Sequence, residues 1–139
     1  MMQRDILLVR ETMPMLLEVA EPAAQLFYGR LFQSNPAVRP LFRGDVMAQG
    51  KKFMDMLISL SDSLDDLDSR KHALFAMGQR HAGYGVVSEQ YGAAKAAFLW
   101  TLKQTLEAEF TPPVEAAWGA LIDEIATAMQ AGAAQLPSP

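Results

Sequence analysis

Apolar residues recur along this chain at spacings of three and four, and no stretch alternates in the manner of a half-buried strand. The pattern predicts five or six helices and no sheet. A first helix from about Gln3 to Leu17 places Ile6, Val9, Met13 and Leu16 or Leu17 on one face, and Pro14 is expected to bend or weaken it. Pro22 opens a second helix with a wide apolar band of Phe27, Tyr28, Leu31 and Phe32. Asn35-Pro36 stops that helix and starts a short helical turn, which closes at Leu41-Phe42-Arg43-Gly44-Asp45. The next helix runs from about Val46 to Ser63, with Gln49, Phe53, Leu57, Leu60 and Leu64 in one stripe.

An acidic turn from Ser61 to Ser69 leads into a helix that ends at His81. Ser88 is the expected N-cap of the following helix, which carries Tyr91, Ala94, Phe98, Leu102 and Thr105 inward as far as about Glu109. Thr111 caps the last helix, with Pro112 in its first turn and Val114, Trp118, Leu121, Ile122, Ile125 and Met129 on the buried side. Residues 1–134 thus form one domain, and residues 135–139 a frayed tail.

Composition narrows the classes. A chain of 139 residues, half hydrophobic and a fifth charged, can bury a core with a ligand pocket inside it. The net charge of -4 and the lack of a dense Lys/Arg run leave no electrostatic footprint for nucleic acid. The absence of cysteine excludes disulfides, thiolate metal sites and cysteine nucleophiles, and it fits a reducing compartment. Arg10, Glu11 and Glu18 interrupt what would have to be the apolar core of a signal peptide. No uncharged run reaches the roughly 18 residues of a membrane span. A soluble cytoplasmic protein is the expectation.

Three polar side chains stand where apolar ones are expected. His81 follows Leu74 and Met77 at spacings of seven and four, so its imidazole lies on the inward stripe, and Gly83 and Gly85 then turn the chain. A lone histidine on such a face is more often a hydrogen-bonded core residue than a ligand. Tyr28 carries a hydroxyl into an apolar band, where a backbone partner is the commoner outcome. Gln49 heads an apolar stripe, though a place in an exposed first turn explains it equally well. His72 lies half a turn from His81 around the helix and reads as a solvated surface residue.

In sequence order the segments LFYGRLFQSNPAVRPLF, AQGKKFM, GQRHAGYGVVSEQY and VEAAWGALI resemble the single-domain bacterial globins related to the globin part of flavohaemoglobins, over about residues 5 to 130. The resemblance implies the all-α globin fold, with helices lettered A, B, C, E, F, G and H around a pocket for haem b. It makes His81 the proximal ligand of the iron, its other ring nitrogen donating to a backbone carbonyl such as that of Met77. It stacks Phe42 on the porphyrin. It lines the haem with Met77, Val86, Tyr91, Ala94, Phe98 and Ile125, and it pairs Lys52 and Arg80 with the propionates. Phe53 stands where relatives often have leucine, which implies a tighter pocket or a partly blocked ligand channel.

Tyr28 and Gln49 gain a joint meaning from the resemblance, since a tyrosine and a glutamine of those two helices meet over the iron and act on the gas held there. The implied ligands are oxygen, nitric oxide and carbon monoxide, with oxygen released slowly and nitric oxide converted to nitrate. No Gly-x-Gly-x-x-Gly fingerprint is present, so turnover would need a separate reductase. Oxygen storage or sensing without turnover, and a haem-free signalling module, are the alternatives. A monomer or weak homodimer is expected. At one point the chain departs from the family, for Ala133 occupies the place of an acidic residue that relatives set beside the proximal histidine.

Overall fold

The computed structural model describes residues 1–135, and the rest of the expected tail, 136–139, lies outside them. Six α-helices follow one another: α1 (Gln3–Glu18), α2 (Ala20–Ser34), α3 (Val46–Ser61), α4 (Lys71–Gly83), α5 (Ser88–Leu106) and α6 (Pro112–Ala133). Short 3-10 turns at Pro36–Leu41, Leu67–Arg70 and Glu107–Glu109 bridge α2 to α3, α3 to α4 and α5 to α6. Among the described residues there is no strand, as the spacing of apolar positions predicts.

Local chemistry accounts for most of the boundaries. Asp45 caps α3 by accepting from the Met47 amide at 2.9 Å, and Thr111 caps α6 by accepting from the Val114 amide at 3.4 Å. Pro112 follows that cap in the first turn of α6, where a missing N–H costs nothing. Helix α1 runs through Pro14 to Glu18; the proline sits on the exposed face, where water can satisfy the carbonyl left unpaired one turn earlier. One expectation needs correction. Ser88 is the first residue of α5 and not its cap. Val87 is the cap, its amide donating to the Gln90 side chain at 2.9 Å, while the Ser88 hydroxyl donates to Gln130 of α6.

The core is one continuous cluster of aliphatic and aromatic side chains. Val9 and Leu16 of α1, Leu102 and Leu106 of α5, and Trp118 and Leu121 of α6 are wholly buried. Trp118 donates its indole N–H to Thr12 at 2.8 Å, and Thr12 donates in turn to the Leu8 carbonyl, so that two buried polar groups are satisfied. The closest helix pairing is α4 on α6. A Cβ at Gly78 would overlap the Met129 carbonyl, and one at Gly132 would overlap the Phe75 carbonyl. The two helices therefore touch backbone to backbone at two places, which fixes the position and roll of α4, the helix that carries His81.

Candidate functional site

His81 lies in the last turn of α4, half-buried. Its Nδ1 is 2.8 Å from the Met77 carbonyl oxygen, and an imidazole bonded to a carbonyl must donate there, so in the neutral ring the lone pair is on Nε2. Among the described residues Nε2 has no hydrogen-bond partner. The chain then turns sharply: the Tyr84 amide donates to Arg80 and His81, and the Val86 amide donates back to the His81 carbonyl at 3.1 Å. Gly85 takes a φ of +104°, a conformation that favours glycine, and Leu41 packs against it. The end of the first 3-10 turn thus meets the turn after His81.

Opposite α4 stands a wall built from α2, the 3-10 turn and α3. Helix α3 packs chiefly on α2 and α1, whereas α4 packs chiefly on α6. Tyr28 is the polar member of this wall. Its ring centroid is 5.2 Å from that of Phe42, edge on, and 4.9 Å from that of Phe27. The hydroxyl has no protein hydrogen-bond partner among the described residues, so the backbone bond favoured from sequence is not made. Burial pushes its pKa from 10 to about 12, and the group remains a protonated donor through the neutral range.

Phe53 stacks on Phe27 at 5.2 Å and meets Phe98 edge on at 5.4 Å. Phe98 continues to Trp118 at 5.8 Å, which closes the inner side of the wall with aromatic rings. Gln49 is half-buried in the first turn of α3, neither in the core nor out in water.

The other expected residues fall into two groups. Phe42, Phe53, Met77, Val86, Tyr91 and Ala94 are all half-buried, apolar or aromatic side chains with one side left uncovered. Phe98 and Ile125 are buried; Ile125 lines a second cleft, of about 480 Å³, with Leu74 and Phe75. That cleft lies about two turns before His81. Lys52 and Arg80 are exposed, and neither belongs to an ion pair among the described residues. His72 is exposed, as expected.

Tyr91 holds a surprise. Its hydroxyl oxygen is buried with no partner among the described residues, and burial raises its pKa. Spacing marked the ring as inward, but nothing in the sequence signals an orphaned hydroxyl. Equally unsignalled are Ala24 and Gly50, where α2 and α3 cross: a Cβ at Gly50 would stand 2.9 Å from that of Ala24.

The fold is an all-helical bundle that carries two polar groups with no protein hydrogen-bond partner among the described residues, the Nε2 of His81 on α4 and the hydroxyl of Tyr28 on α2. The globin family model matches residues 25–129, and the chain belongs to the globin family. It is similar to a flavohemoprotein of Vibrio cholerae, with 30% identity over 85% of this chain and 31% of that protein. The chain thus spans about a third of that relative's length. An uncharacterized globin-like protein of Aquifex aeolicus is 25% identical over 75% of each chain, and a neuroglobin of Chaenocephalus aceratus is 24% identical over 94% of this chain and 91% of that one. Among solved structures, an engineered carbene transferase from Rhodothermus marinus superposes with a TM-score of 0.88 at 24% identity, covering 97% of this chain and 94% of that one. That likeness supports the fold.

Proposed function

We propose that this globin holds haem b between α3 and α4 with His81 as the iron ligand, and that it binds oxygen tightly. The observation that carries the proposal is the His81–Met77 bond, which in the neutral ring leaves Nε2 as an oriented lone pair on a half-buried side chain. The residues fit the group in two further respects. Half-buried Phe42, Phe53, Met77, Val86 and Ala94 offer faces that a flat apolar ring would cover, and the Tyr91 hydroxyl is a buried donor in want of a partner. Arg80 and Lys52, both exposed and unpaired, are available to the propionates.

Haem supplies, when bound, a ferrous iron that takes up diatomic gases and exchanges electrons with them. The protein supplies polarity and shape. Tyr28 on α2 and Gln49 on α3 would donate hydrogen bonds toward the bound gas, and a donor aimed at a developing negative charge strengthens the hold on it. A bond to a charged acceptor is worth about 1.5 to 3 kcal/mol, or roughly 10- to 150-fold in release. Slow release suits conversion of nitric oxide to nitrate better than oxygen delivery. A separate reductase is the electron source in this proposal.

Absorption spectra of the purified protein in the ferric, ferrous and carbon monoxide states test the cofactor. An intense Soret band that shifts among the three states is expected. Its absence after haem supplementation would leave a haem-free signalling module. Rapid mixing of the oxygenated protein with nitric oxide and a reductase then tests turnover, and a single burst of nitrate without sustained production would reduce the function to oxygen storage or sensing.

A further inference from the structure

The turn after His81 and the end of the first 3-10 turn meet where Leu41 packs against Gly85. Together these two stretches, residues 36–44 and 80–88, carry Arg39, Arg43 and Arg80, all exposed, and no Asp or Glu. None of the three arginines belongs to an ion pair among the described residues. In a chain of net charge -4 this is a local excess of positive charge, and it is not neutralised by the protein itself. The same turn presents Tyr84 and Val87 to solvent, 62% and 52% exposed. Among the described residues Tyr84 is the one aromatic side chain that is exposed. Tyrosine and arginine are the residue types that anchor protein interfaces. Arg39 is already held in place, because its guanidinium donates to the Phe42 carbonyl at 3.2 Å and lies 5.1 Å from the centre of the Phe32 ring. A side chain held in this way loses little freedom when a partner arrives.

We propose that this area is the docking surface for an electron-donating flavoprotein whose contact face sets carboxylates around an apolar centre. The inference rests on the proposed function for the need of an external donor, and it deepens that reading by naming the surface and the partner's chemistry. Position supports it as well as charge. The Tyr84 ring centroid is 6.5 Å from that of His81, so one side chain separates the exposed surface from the proposed iron ligand. The transfer is of one electron: the partner's reduced flavin loses it, ferric iron gains it and becomes ferrous, and no bond forms or breaks in this chain. Opposite charges steer the two proteins together and set their orientation, while Tyr84 and Val87 supply the apolar contact. An anionic lipid surface is the poorer match, since clusters of about four to eight basic residues are the usual requirement there.

The test uses the haem-loaded ferric protein without oxygen and reduced flavodoxin, an acidic flavoprotein, as the donor, with reduction followed in the Soret band. Raising the ionic strength is expected to slow the reaction, although two proteins of net negative charge would by themselves react faster as salt screens their repulsion. Arg43→Glu and Val87→Glu are each expected to slow it by at least about fivefold at low salt, and Arg43→Lys to leave it near the wild-type rate. Dithionite needs no docking surface and is expected to reduce all four proteins alike. Wild-type rates with flavodoxin in both glutamate variants would overturn the proposal, as would acceleration by salt or an equal slowing with dithionite, which reports damage at the iron. A second readout is independent of the iron. Hexacyanochromate, a paramagnetic trianion, is expected to broaden the amide resonances of residues 39, 41–43 and 83–87 in the haem-free protein as in the haem-loaded one, and to do so less in Arg43→Glu; no broadening there would also overturn it. Capture by vesicles rich in phosphatidylglycerol with no reduction by flavodoxin would overturn it in favour of a lipid surface. A protein that takes up no haem would defeat the proposed function, while hexacyanochromate still judges the surface.

Discussion

His81 Nδ1 and the Met77 carbonyl, one helical turn apart, are held at 2.8 Å. The bond does two things at once, because it sets the ring's rotation about its own axis and commits the proton to Nδ1. A metal ligand must present a lone pair, and with the proton on Nδ1 the neutral ring offers one at Nε2. Only α4 is needed to build the arrangement, and α4 is in turn fixed by its backbone contacts with α6.

From that geometry, His81→Ala is expected to abolish the wild-type Soret spectrum while leaving the helical content intact, because the half-buried imidazole contributes little to the core. Imidazole added to the buffer fits the space left behind and is expected to restore a histidine-like spectrum. Retention of the wild-type spectrum in the variant would show that another group binds the iron.

Tyr28→Phe keeps the ring contacts with Phe27 and Phe42 and removes the hydroxyl alone. Oxygen dissociation is expected to accelerate by at least about tenfold, the low end for loss of a bond to a charged acceptor. Measurement is by displacement with carbon monoxide; an unchanged rate would place the hydroxyl outside the pocket.

The same hydroxyl makes stability depend on alkaline pH. Its folded-state pKa, about 12, stands above the ordinary tyrosine value of 10 because burial penalises the phenolate. The native state therefore holds its proton more tightly than the unfolded state, and the stability associated with it is fully present below pH 10 and lost as pH rises from 10 to 12. The loss is on the order of 2 to 3 kcal/mol. Denaturant melts of the wild type across that range should show the decline, and Tyr28→Phe should flatten it; parallel curves would mean that the phenol is not buried in solution.

Much of this architecture is legible in the chain. Helix boundaries at Asp45 and Thr111-Pro112 follow from capping chemistry and that at Asn35-Pro36 from the proline, and the three- and four-residue spacing around Leu74, Met77 and His81 turns the imidazole inward. What stays hidden is whatever depends on distance between helices. Gly78 and Gly132 look like weak points in helical stretches until α4 and α6 are seen touching at them. Gly50 likewise gives no sign that it faces Ala24. Ser88 misleads, because serine is a common cap, yet the chain uses the Gln90 side chain on the Val87 amide and spends the serine hydroxyl on Gln130. Tyr28 and Gln49 lie in different helices, and only the resemblance to bacterial globins joins them.

The contact between α4 and α6 makes a sharp prediction about glycine. In Gly78→Ala or Gly132→Ala the added methyl would coincide with a backbone carbonyl of the other helix, which cannot rotate aside. Each substitution is expected to cost about 3 kcal/mol or more in denaturant melts, since the helices must separate. Gly92→Ala serves as the control. Nothing lies within 4 Å of its added carbon, and in a helix interior it is expected to stabilise by roughly 0.5 to 1 kcal/mol. Equal effects at all three sites would mean that α4 is not held against α6 in this way.

Tyr91 separates the apoprotein from the haem-bound form. Its hydroxyl is buried and unpaired among the described residues, and Ala133, half-buried on α6, stands where the family resemblance would put a carboxylate. An unpaired buried hydroxyl costs about 1 to 3 kcal/mol, so Tyr91→Phe is expected to stabilise the haem-free protein by a substantial part of that. With haem bound, the outcome depends on what meets the oxygen. If a propionate or a water it orders accepts the proton, the phenylalanine gives up that bond, and the gain should shrink or reverse. Melting the wild type and the variant with and without haem forms a four-way cycle in which the difference of differences isolates this bond. A value near zero would assign Tyr91 to the core alone; a coupling of about 1 kcal/mol or more would make its hydroxyl part of the haem site despite the missing carboxylate.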